Sequence, residues 1–320
     1  MARRVNWENQ IGRRLRLRDL HVLFTVVQHG SMAKAAVELG ISQPAVSDVI
    51  ANLEHAVGVR LFDRGPHGVG PTVYGRALLK RSLAAFDELK QGIRDIEFLA
   101  DPTKGEIRLG CPGTIIATIL LPIIQRFNQQ YPRVNLHVED SVSFTHEIAE
   151  LRDRKYDFVL GRLVDPTASL GDDLEAELLF DDPLVVVAGM QTPWARRRKI
   201  DLAELIGEPW TLPPTHTLNY KCMAEAFRKR GCEIPRIGLV SFSVHLRTQL
   251  VDGGQFITAL PKSIADQYSL CVLPIELTAR PWSVAIFTLK NRTLSPVVEK
   301  FIEHVRESTR SRRGPTGRGD

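Results

Sequence analysis

Small polar residues cluster at the start of a helical segment in the first quarter of this chain. On the face opposite its apolar stripe lie Ser42, Gln43, Pro44, Ser47 and Asp48. Gln43 and Ser47 carry hydrogen-bond donors and acceptors that reach base edges, and the unbonded N–H groups at a helix start attract phosphate. Because this helix tip carries small side chains, it fits a groove about 12 Å wide. The chemistry indicated is hydrogen bonding to double-stranded DNA.

Three short helical segments must position this tip. The first covers 19–29, the second begins at the candidate N-cap Ser31 and ends at Gly40, and the third follows Ser42. Their apolar stripes are Leu20, Leu23, Phe24 and Val27, then Ala35, Ala36 and Leu39, then Val46, Ile50, Leu53 and Val57. Two helices joined by a short turn and packed on a preceding helix form a helix-turn-helix. A plain three-helix core shares this pattern.

The next segment predicts a wing. Residues 58–64 read as a short strand, 65–71 are rich in Gly and Pro, and Thr72 begins another helix. This order is typical of a winged helix-turn-helix, with Arg64 and His67 directed to the DNA backbone or the minor groove.

Positive charge is concentrated in the same region. Residues 1–81 contain 12 Lys and Arg against 6 Asp and Glu, whereas the remaining residues contain 30 against 31. A basic N-terminal quarter on a near-neutral body favours a polyanionic partner, although solvated surface charge gives the same asymmetry.

A long helix is predicted over 73–100. Leu79, Phe86 and Ile93 recur every seven residues, and Leu89 and Ile96 follow the last two by three residues. This spacing is typical of a coiled-coil seam, which would bring two copies together and present two recognition helices to two half-sites. The alternative is a helix that lies on its own domain.

The rest of the chain alternates strand-like and helix-like segments, which predicts two α/β lobes with mostly parallel strands. Ligands of such folds lie beyond the carboxyl ends of the strands. Polar residues at these positions include Thr114, Ser141, Ser143, Thr217, Ser243 and His245. Hydroxyl groups at helix starts suit a carboxylate or another small anion, but they are equally expected as simple N-caps. Arg162, just after a predicted strand, is a candidate charge partner or hinge residue.

The chain resembles the LysR-type transcriptional regulators. The matching N-terminal positions are Ser31, Ala35-Ala36, Leu39, Ser42-Gln43-Pro44-Ala45-Val46-Ser47, Leu53-Glu54, Gly58, Leu61-Phe62, Arg64, Thr72 and Gly75. Looser matches in the second part are Gly105-Glu106-Ile107-Arg108-Leu109-Gly110, Phe127, Tyr131-Pro132, Asp157-Phe158-Val159-Leu160-Gly161, Gly253-Gly254, Leu260-Pro261, Leu294-Ser295-Pro296 and Phe301-Ile302.

The resemblance implies an N-terminal all-α winged helix-turn-helix and two α/β lobes of the periplasmic-binding-protein type II kind. It also implies contact of double-stranded DNA by the motif residues, which are Ser31, Ser42, Gln43, Pro44, Ser47 and Arg64. It places Thr114, Ser143, Thr217 and Ser243 at a cleft for a small-molecule effector, and His245 stands beside them. Further implied partners are a second copy of the chain, as a homodimer or a homotetramer built as a dimer of dimers, and RNA polymerase. Asp48 departs from the family, whose members often have Arg, Lys or Gln there, and a carboxylate at this position can accept from a cytosine amino group.

The predicted domains are a winged helix-turn-helix at 1–72, a dimerisation helix at 73–101, an effector domain at 102–307 and a disordered basic tail at 308–320. We expect no catalytic residues, metal, cofactor or membrane partner, and a cytoplasmic location, since neither an apolar span nor a secretory signal is evident.

Two alternatives are a redox sensor that uses Cys222 and Cys232, and an architectural DNA-binding protein without an effector. An enzyme built on the lobes is a third, although Gly-rich phosphate loops and GxSxG elbows are missing from the sequence.

Overall fold

The computed structural model describes residues 15–65, 68–140, 143–163, 170–277 and 282–312. The chain divides into two compact units, Met1–Lys90 and Gln91–Asp320.

The first unit is a three-helix core with a β-hairpin. Its elements are α1 (Leu17–His29), α2 (Met32–Leu39), α3 (Gln43–Val57), β1 (Phe62–Gly65) and β2 (Gly68–Pro71). The first two helices end at Gly30 and Gly40, which have φ values of 61° and 63°. Glycine adopts this left-handed conformation without a Cβ clash, so the chain reverses sharply after each helix.

The helix-turn-helix core is confirmed, with two differences in detail. On α1 the buried stripe comprises Leu20, Val22, Leu23 and Val26, whereas Phe24 is only half-buried. The stripe is wider than predicted because α1 contacts both α2 and α3. The strand predicted at 58–64 begins only at Phe62, because the residues before it form the turn after α3.

Helix α4 (Val73–Ala100) passes through the boundary between the units. The Thr72 hydroxyl starts it, accepting from the Gly75 N–H at 3.0 Å and donating to the Arg60 carbonyl at 2.8 Å. The predicted seam divides into two parts. Its early members Leu79, Leu83 and Phe86 are half-buried, and Phe86 packs on the first unit's core. In contrast, the later apolar residues are exposed, and these are Leu89, Ile93, Ile96 and Leu99.

The second unit contains two lobes, one built on a five-stranded sheet and the other on a three-stranded and a two-stranded sheet. Lobe one has a five-stranded sheet in the order β4-β3-β5-β12-β6. Its strands are β3 (Lys104–Cys111), β4 (Arg133–Asp140), β5 (Phe158–Leu163), β6 (Leu174–Asp181) and β12 (Ser283–Leu289). The helices of this lobe are α5 (Gly113–Ile115), which continues through a π-helical segment (Ile116–Leu120) into α6 (Leu121–Gln130), then α7 (Phe144–Arg152) and α11 (Pro296–Thr309).

Lobe two is formed by the chain between β6 and β12. Its strands are β7 (Leu184–Ala188), β8 (Trp210–Leu212), β9 (Ile237–Val240), β10 (Thr258–Pro261) and β11 (Cys271–Val272), arranged as β10-β7-β11 and β8-β9. Its helices are α8 (Leu218–Lys229), α9 (Val244–Asp252) and α10 (Lys262–Gln267), with 3-10 turns at Pro193–Arg196 and Leu202–Leu205.

The prediction of two α/β lobes is confirmed, but the expectation of mostly parallel strands is wrong. β3 pairs in parallel with β4 and β5, whereas β12 pairs antiparallel with both β5 and β6. In lobe two, both neighbours of β7 are antiparallel. The cause is the chain path, because β6 leaves lobe one and β12 returns to it, so neither strand belongs to a local βαβ unit.

The predicted disordered tail at 308–320 also needs correction at its start. α11 extends to Thr309 and is followed by a 3-10 turn at Arg310–Arg312. Thr309 is buried, and its hydroxyl donates to the Val305 carbonyl one turn earlier in the same helix at 2.8 Å, so the helix stays ordered and packed to this residue. Residues 313–320 lie outside the described part of the chain.

Candidate DNA interface and ligand cavity

The tip of α3 is an open, capped helix start. The Ser42 Oγ accepts from the Ala45 N–H at 3.3 Å, and Pro44 lies in the first turn, where a missing N–H leaves no broken bond. Ser42, Gln43, Pro44 and Asp48 are not buried, so the side chains of this tip are accessible for contact with another molecule.

The Ser47 and Ser31 hydroxyls both form hydrogen bonds inside the first unit. The Ser47 hydroxyl donates to the Met32 sulfur at 3.4 Å, and the residue is half-buried between α3 and α2. Ser31 caps α2 through its Oγ, which accepts from the Lys34 N–H at 3.4 Å. Each hydroxyl makes a contact within the fold and keeps further hydrogen-bonding capacity, so their predicted contact with DNA stays a prediction.

The predicted wing is present as a β-hairpin, in which the four residues of β1 pair antiparallel with the four residues of β2. Arg64 lies opposite Val69 in this hairpin, and the Val69 N–H donates to the Gly30 carbonyl at 2.9 Å, which fastens the wing to the end of α1. The Arg64 side chain and the whole of His67 lie outside what the structure describes.

A cavity of about 750 Å³ lies between the two lobes of the second unit. The five residues that the sequence proposed for an effector all line it, and these are Thr114, Ser143, Thr217, Ser243 and His245. Ser141 lies outside the described residues. The volume falls in the range of small-molecule sites, which is about 300–1,000 Å³.

Several of these hydroxyls already have intramolecular partners. Thr217 caps α8, accepting from the Tyr220 N–H at 3.3 Å, and Ser243 caps α9, accepting from the Leu246 N–H at 3.2 Å. For these two residues the structure bears out the simple capping interpretation. His245 is exposed.

An ion pair links the lobes behind the cavity. Arg162, from β5, donates Nη1 to the Thr114 Oγ1 at 2.5 Å and Nη2 to the Asp182 Oδ2 at 2.8 Å. Asp182 stands where the chain crosses between the lobes, and it also accepts from the N–H and the hydroxyl of Ser263, on α10, at 2.9 and 2.8 Å. The sequence offered Arg162 as a charge partner or a surface hinge residue; its ion pair with Asp182 agrees with the first role, whereas the second is wrong because Arg162 is buried within β5.

Two buried charged residues of the wall were not identified from the sequence. Glu147, on α7, is 1% exposed, and neither carboxyl oxygen has a hydrogen-bond partner among the described residues. Burial raises the pKa of Glu147 to about 8, with a further contribution from Asp140 that Arg162 partly offsets. Arg247, on α9, is 2% exposed, its Nε is unpartnered within the same described ranges, and burial lowers its pKa to about 10. At pH 7 this wall therefore contains a neutral carboxylic acid and a cationic guanidinium.

The sequence carried a signal for both residues. Each lies four positions before a buried apolar residue of its own helix, Leu151 for Glu147 and Val251 for Arg247. An i, i+4 relation places the two side chains on the same inner face. A charge on the inner face of a helix indicates a polar cavity.

The cysteine pair does not form a disulfide, since Cys222 and Cys232 are both free thiols. Cys222 is buried, and burial raises the pKa of its thiol. Because the thiolate is the reactive form, this environment disfavours redox chemistry at Cys222.

Within the described ranges, no helix is both long and apolar enough to cross a membrane, and no group of three or more His, Cys, Asp or Glu could hold a metal ion.

Comparison with protein families gives two matches. Residues 17–76 match the model of the bacterial regulatory helix-turn-helix protein of the lysR family, and residues 100–310 match the LysR substrate binding domain. Among curated proteins, the uncharacterized HTH-type transcriptional regulator YdcI of Escherichia coli K12 is 28% identical, with 92% of this chain and 96% of that protein covered. The HTH-type transcriptional regulator TdcA of the same strain is 27% identical, with 90% and 91% covered.

Solved structures share the fold. A point variant of full-length OxyR from Pseudomonas aeruginosa aligns with a TM-score of 0.63 at 21% identity, covering 92% of this chain and 95% of that one. CbnR, a LysR family transcriptional regulator, aligns with a TM-score of 0.57 at 21% identity, covering 92% and 99%. At this identity the likeness extends to the fold, a helix-turn-helix followed by a mixed α/β domain.

Proposed function

The chain belongs to the LysR family of bacterial transcriptional regulators. From that membership we propose that it binds operator DNA through α3 and that its regulatory activity responds to a small-molecule effector bound between its lobes. The observation that carries the proposal is the presence in one chain of an open helix tip and a cavity of about 750 Å³ lined by both lobes.

DNA contact is assigned to the tip of α3 and to the wing. Ser42, Gln43 and Pro44 are exposed at a helix start, where unbonded N–H groups meet phosphate. Gln43 is the main candidate for a base edge, because its amide both donates and accepts. Asp48 tunes base preference, and Arg64 contacts the backbone or the minor groove, as the family pattern suggests. Ser31 and Ser47 support the geometry of the helix pair.

Self-association is assigned to α4. Leu89, Ile93 and Ile96 are large, apolar and exposed at spacings of four and three residues along one helix. Such a stripe is stable when a second helix covers it, as in a coiled coil. We propose a homodimer on this face, assembling further into a dimer of dimers. RNA polymerase is the partner through which the complex would act on transcription.

Effector binding is assigned to the inter-lobe cavity, with Thr114 and Ser143 contributing from lobe one and Thr217, Ser243 and His245 from lobe two. A ligand that lies against Thr114 or Arg162 adds a contact beside the hydrogen bond that joins these two residues. Since Arg162 also holds Asp182, which holds Ser263, such a contact changes how the lobes are fastened together. The proposed function needs no chemical reaction.

DNase footprinting with the full chain and DNA flanking its own gene tests the proposal. We expect one protected region of about two or more helical turns, because two recognition helices engage two half-sites. Even, continuous coverage at higher protein concentration would instead support an architectural DNA-binding protein.

A further inference from the structure

We propose that the ligand of the inter-lobe cavity is a small monocarboxylic acid with an apolar body, whose carboxylate pairs with Arg247 while a neutral oxygen of the ligand accepts a hydrogen bond from Glu147. This inference rests on the proposed function, since it names the chemical class of the effector.

Arg247 is a buried cation that has no carboxylate partner among the described residues. Its Nη1 donates a long hydrogen bond to the Thr258 Oγ1, at 3.5 Å, while its Nε is buried without a partner in the described ranges. An uncompensated buried charge costs several kcal/mol of desolvation. The other buried arginine of the wall, Arg162, has Asp182 at 2.8 Å. Among the described residues of the wall, Arg247 is therefore the buried positive charge that has no counter-charge, and it is contributed by lobe two.

Glu147 supplies the complementary group from lobe one. Both of its oxygens are buried and unpartnered within the described part of the chain, and the carboxyl is neutral at pH 7 because its pKa is raised to about 8. A protonated carboxyl donates one hydrogen bond, so it favours a carbonyl, ether or hydroxyl oxygen and repels no anion. A buried acid kept neutral in this way can stand beside a negatively charged ligand.

The apolar side chains of the cavity wall limit the shape and the charge of the ligand. Its large apolar side chains are Phe144, Phe242, Tyr268 and Trp282. These surfaces favour a ring or a branched chain. A phosphate dianion fits less well, because Arg162 is already paired with Asp182, which leaves Arg247 to balance a double charge, and the carboxylate of Asp140 also faces the cavity.

The groups that face Glu147 determine the pH dependence. They are Asp140 at the end of β4, Arg162 in β5, Cys111 at the end of β3 and Tyr156 just before β5. β12, which also packs against α7, contains no ionisable residue over Ser283–Leu289. Ionisation of Glu147 above about pH 8 removes the donor and adds a repelling charge, so ligand affinity falls as the pH rises.

The test is a thermal-shift and calorimetric titration of the full chain with three acid and amide pairs. The probes are phenylacetate, cyclohexanecarboxylate and hexanoate, each beside its primary amide, with glucose as a neutral polar probe. We expect at least one acid to stabilise the chain at pH 7 while its amide does not.

Arg247→Met should lower the affinity for that acid by roughly tenfold to a hundredfold, the range for a lost charge-assisted hydrogen bond. Lys229→Met, at an exposed ion pair of α8, is the matched control and should bind as the wild type does.

A second variant keeps the test decisive if Arg247→Met does not fold. Glu147→Gln retains a neutral donor and does not titrate, so it should bind the acid at pH 7 and keep that affinity at pH 9. The wild type should bind about tenfold more weakly at pH 9 than at pH 7, following the neutral fraction of a group whose pKa is about 8.

Three results would overturn the ligand class: no acid stabilises the chain, the amides bind as well as the acids, or the wild type and Glu147→Gln share one pH profile. Binding of glucose with the same affinity to the wild type and Arg247→Met would also overturn it, while leaving a ligand-responsive regulator in place. Failure to protect any operator would overturn the proposed function itself.

Discussion

The Arg162 guanidinium lies 2.8 Å from the Asp182 carboxylate, and this buried pair joins a strand of lobe one to the crossing between the lobes. The same carboxylate accepts two hydrogen bonds from Ser263 in lobe two. One acidic residue therefore fastens both lobes at the back of the cavity.

Asp182→Asn should destabilise the second unit by about 3–5 kcal/mol, because it leaves the Arg162 charge buried without a counter-charge. Urea unfolding followed by circular dichroism measures the loss. Asp181→Asn is the matched control, since this exposed neighbour accepts one hydrogen bond from the Ser283 hydroxyl and should cost about 1 kcal/mol. Equal stability of the two variants would show that the buried pair does not fasten the lobes.

Glu147→Gln should make the stability of the chain less sensitive to pH. In the wild type the unfolded chain releases this proton near pH 4.5 and the folded chain near 8. Between these pH values the Glu147 carboxyl is ionised only in the unfolded state, so the free energy of unfolding falls by roughly 1.4 kcal/mol per pH unit as the pH rises. Glutamine does not ionise, so this fall is absent from the variant. Urea midpoints at pH 5 and 7.5 measure it, with the exposed Glu97→Gln as control. A stability difference from wild type that is the same at both pH values would contradict the buried, neutral acid.

Ile93→Glu should weaken self-association by at least about tenfold, because a charge in an apolar helix seam is desolvated without a partner. Analytical ultracentrifugation of the full chain measures this. Met190→Glu changes an equally exposed apolar residue of lobe two and should leave the assembly intact. Sedimentation of Ile93→Glu as the wild-type species would exclude α4 as the principal contact between copies.

Gln43→Ala should cost about 1–3 kcal/mol of operator binding at one base position, which is the usual value of a good side-chain contact in the major groove. Competition gel shifts with operators substituted base by base would locate that position. A uniform loss across all DNA sequences would indicate that Gln43 meets the backbone.

The helix-turn-helix was predictable because its signals are local. Capping serines, Pro44 in a first turn and Gly30 and Gly40 after helices each act within a few residues. The strand directions of lobe one were not predictable in the same way. The neighbours of β12 come from segments about a hundred residues or more away, and no local pattern records such a pairing.

The cavity was predicted in part. Hydroxyls after predicted strands are recognisable in sequence, and the resemblance to the LysR family selected Thr114, Ser143, Thr217 and Ser243 among them, yet two of the four serve as helix caps. Glu147 and Arg247 were missed because a single charge in an amphipathic helix is ordinarily solvent-exposed. Their i, i+4 relation to Leu151 and Val251 was the available signal, and the packing of α7 and α9 shows that both side chains face inward.

The most direct test of the regulator is a gel-shift titration of the wild type and Gln43→Ala with genomic fragments, including those that flank the chain's own gene. We expect a few fragments to be retarded at far lower protein concentration than bulk DNA, and we expect Gln43→Ala to remove most of this preference while nonspecific binding persists. Equal retardation of all fragments by the wild type, or an undiminished preference in the variant, would contradict it.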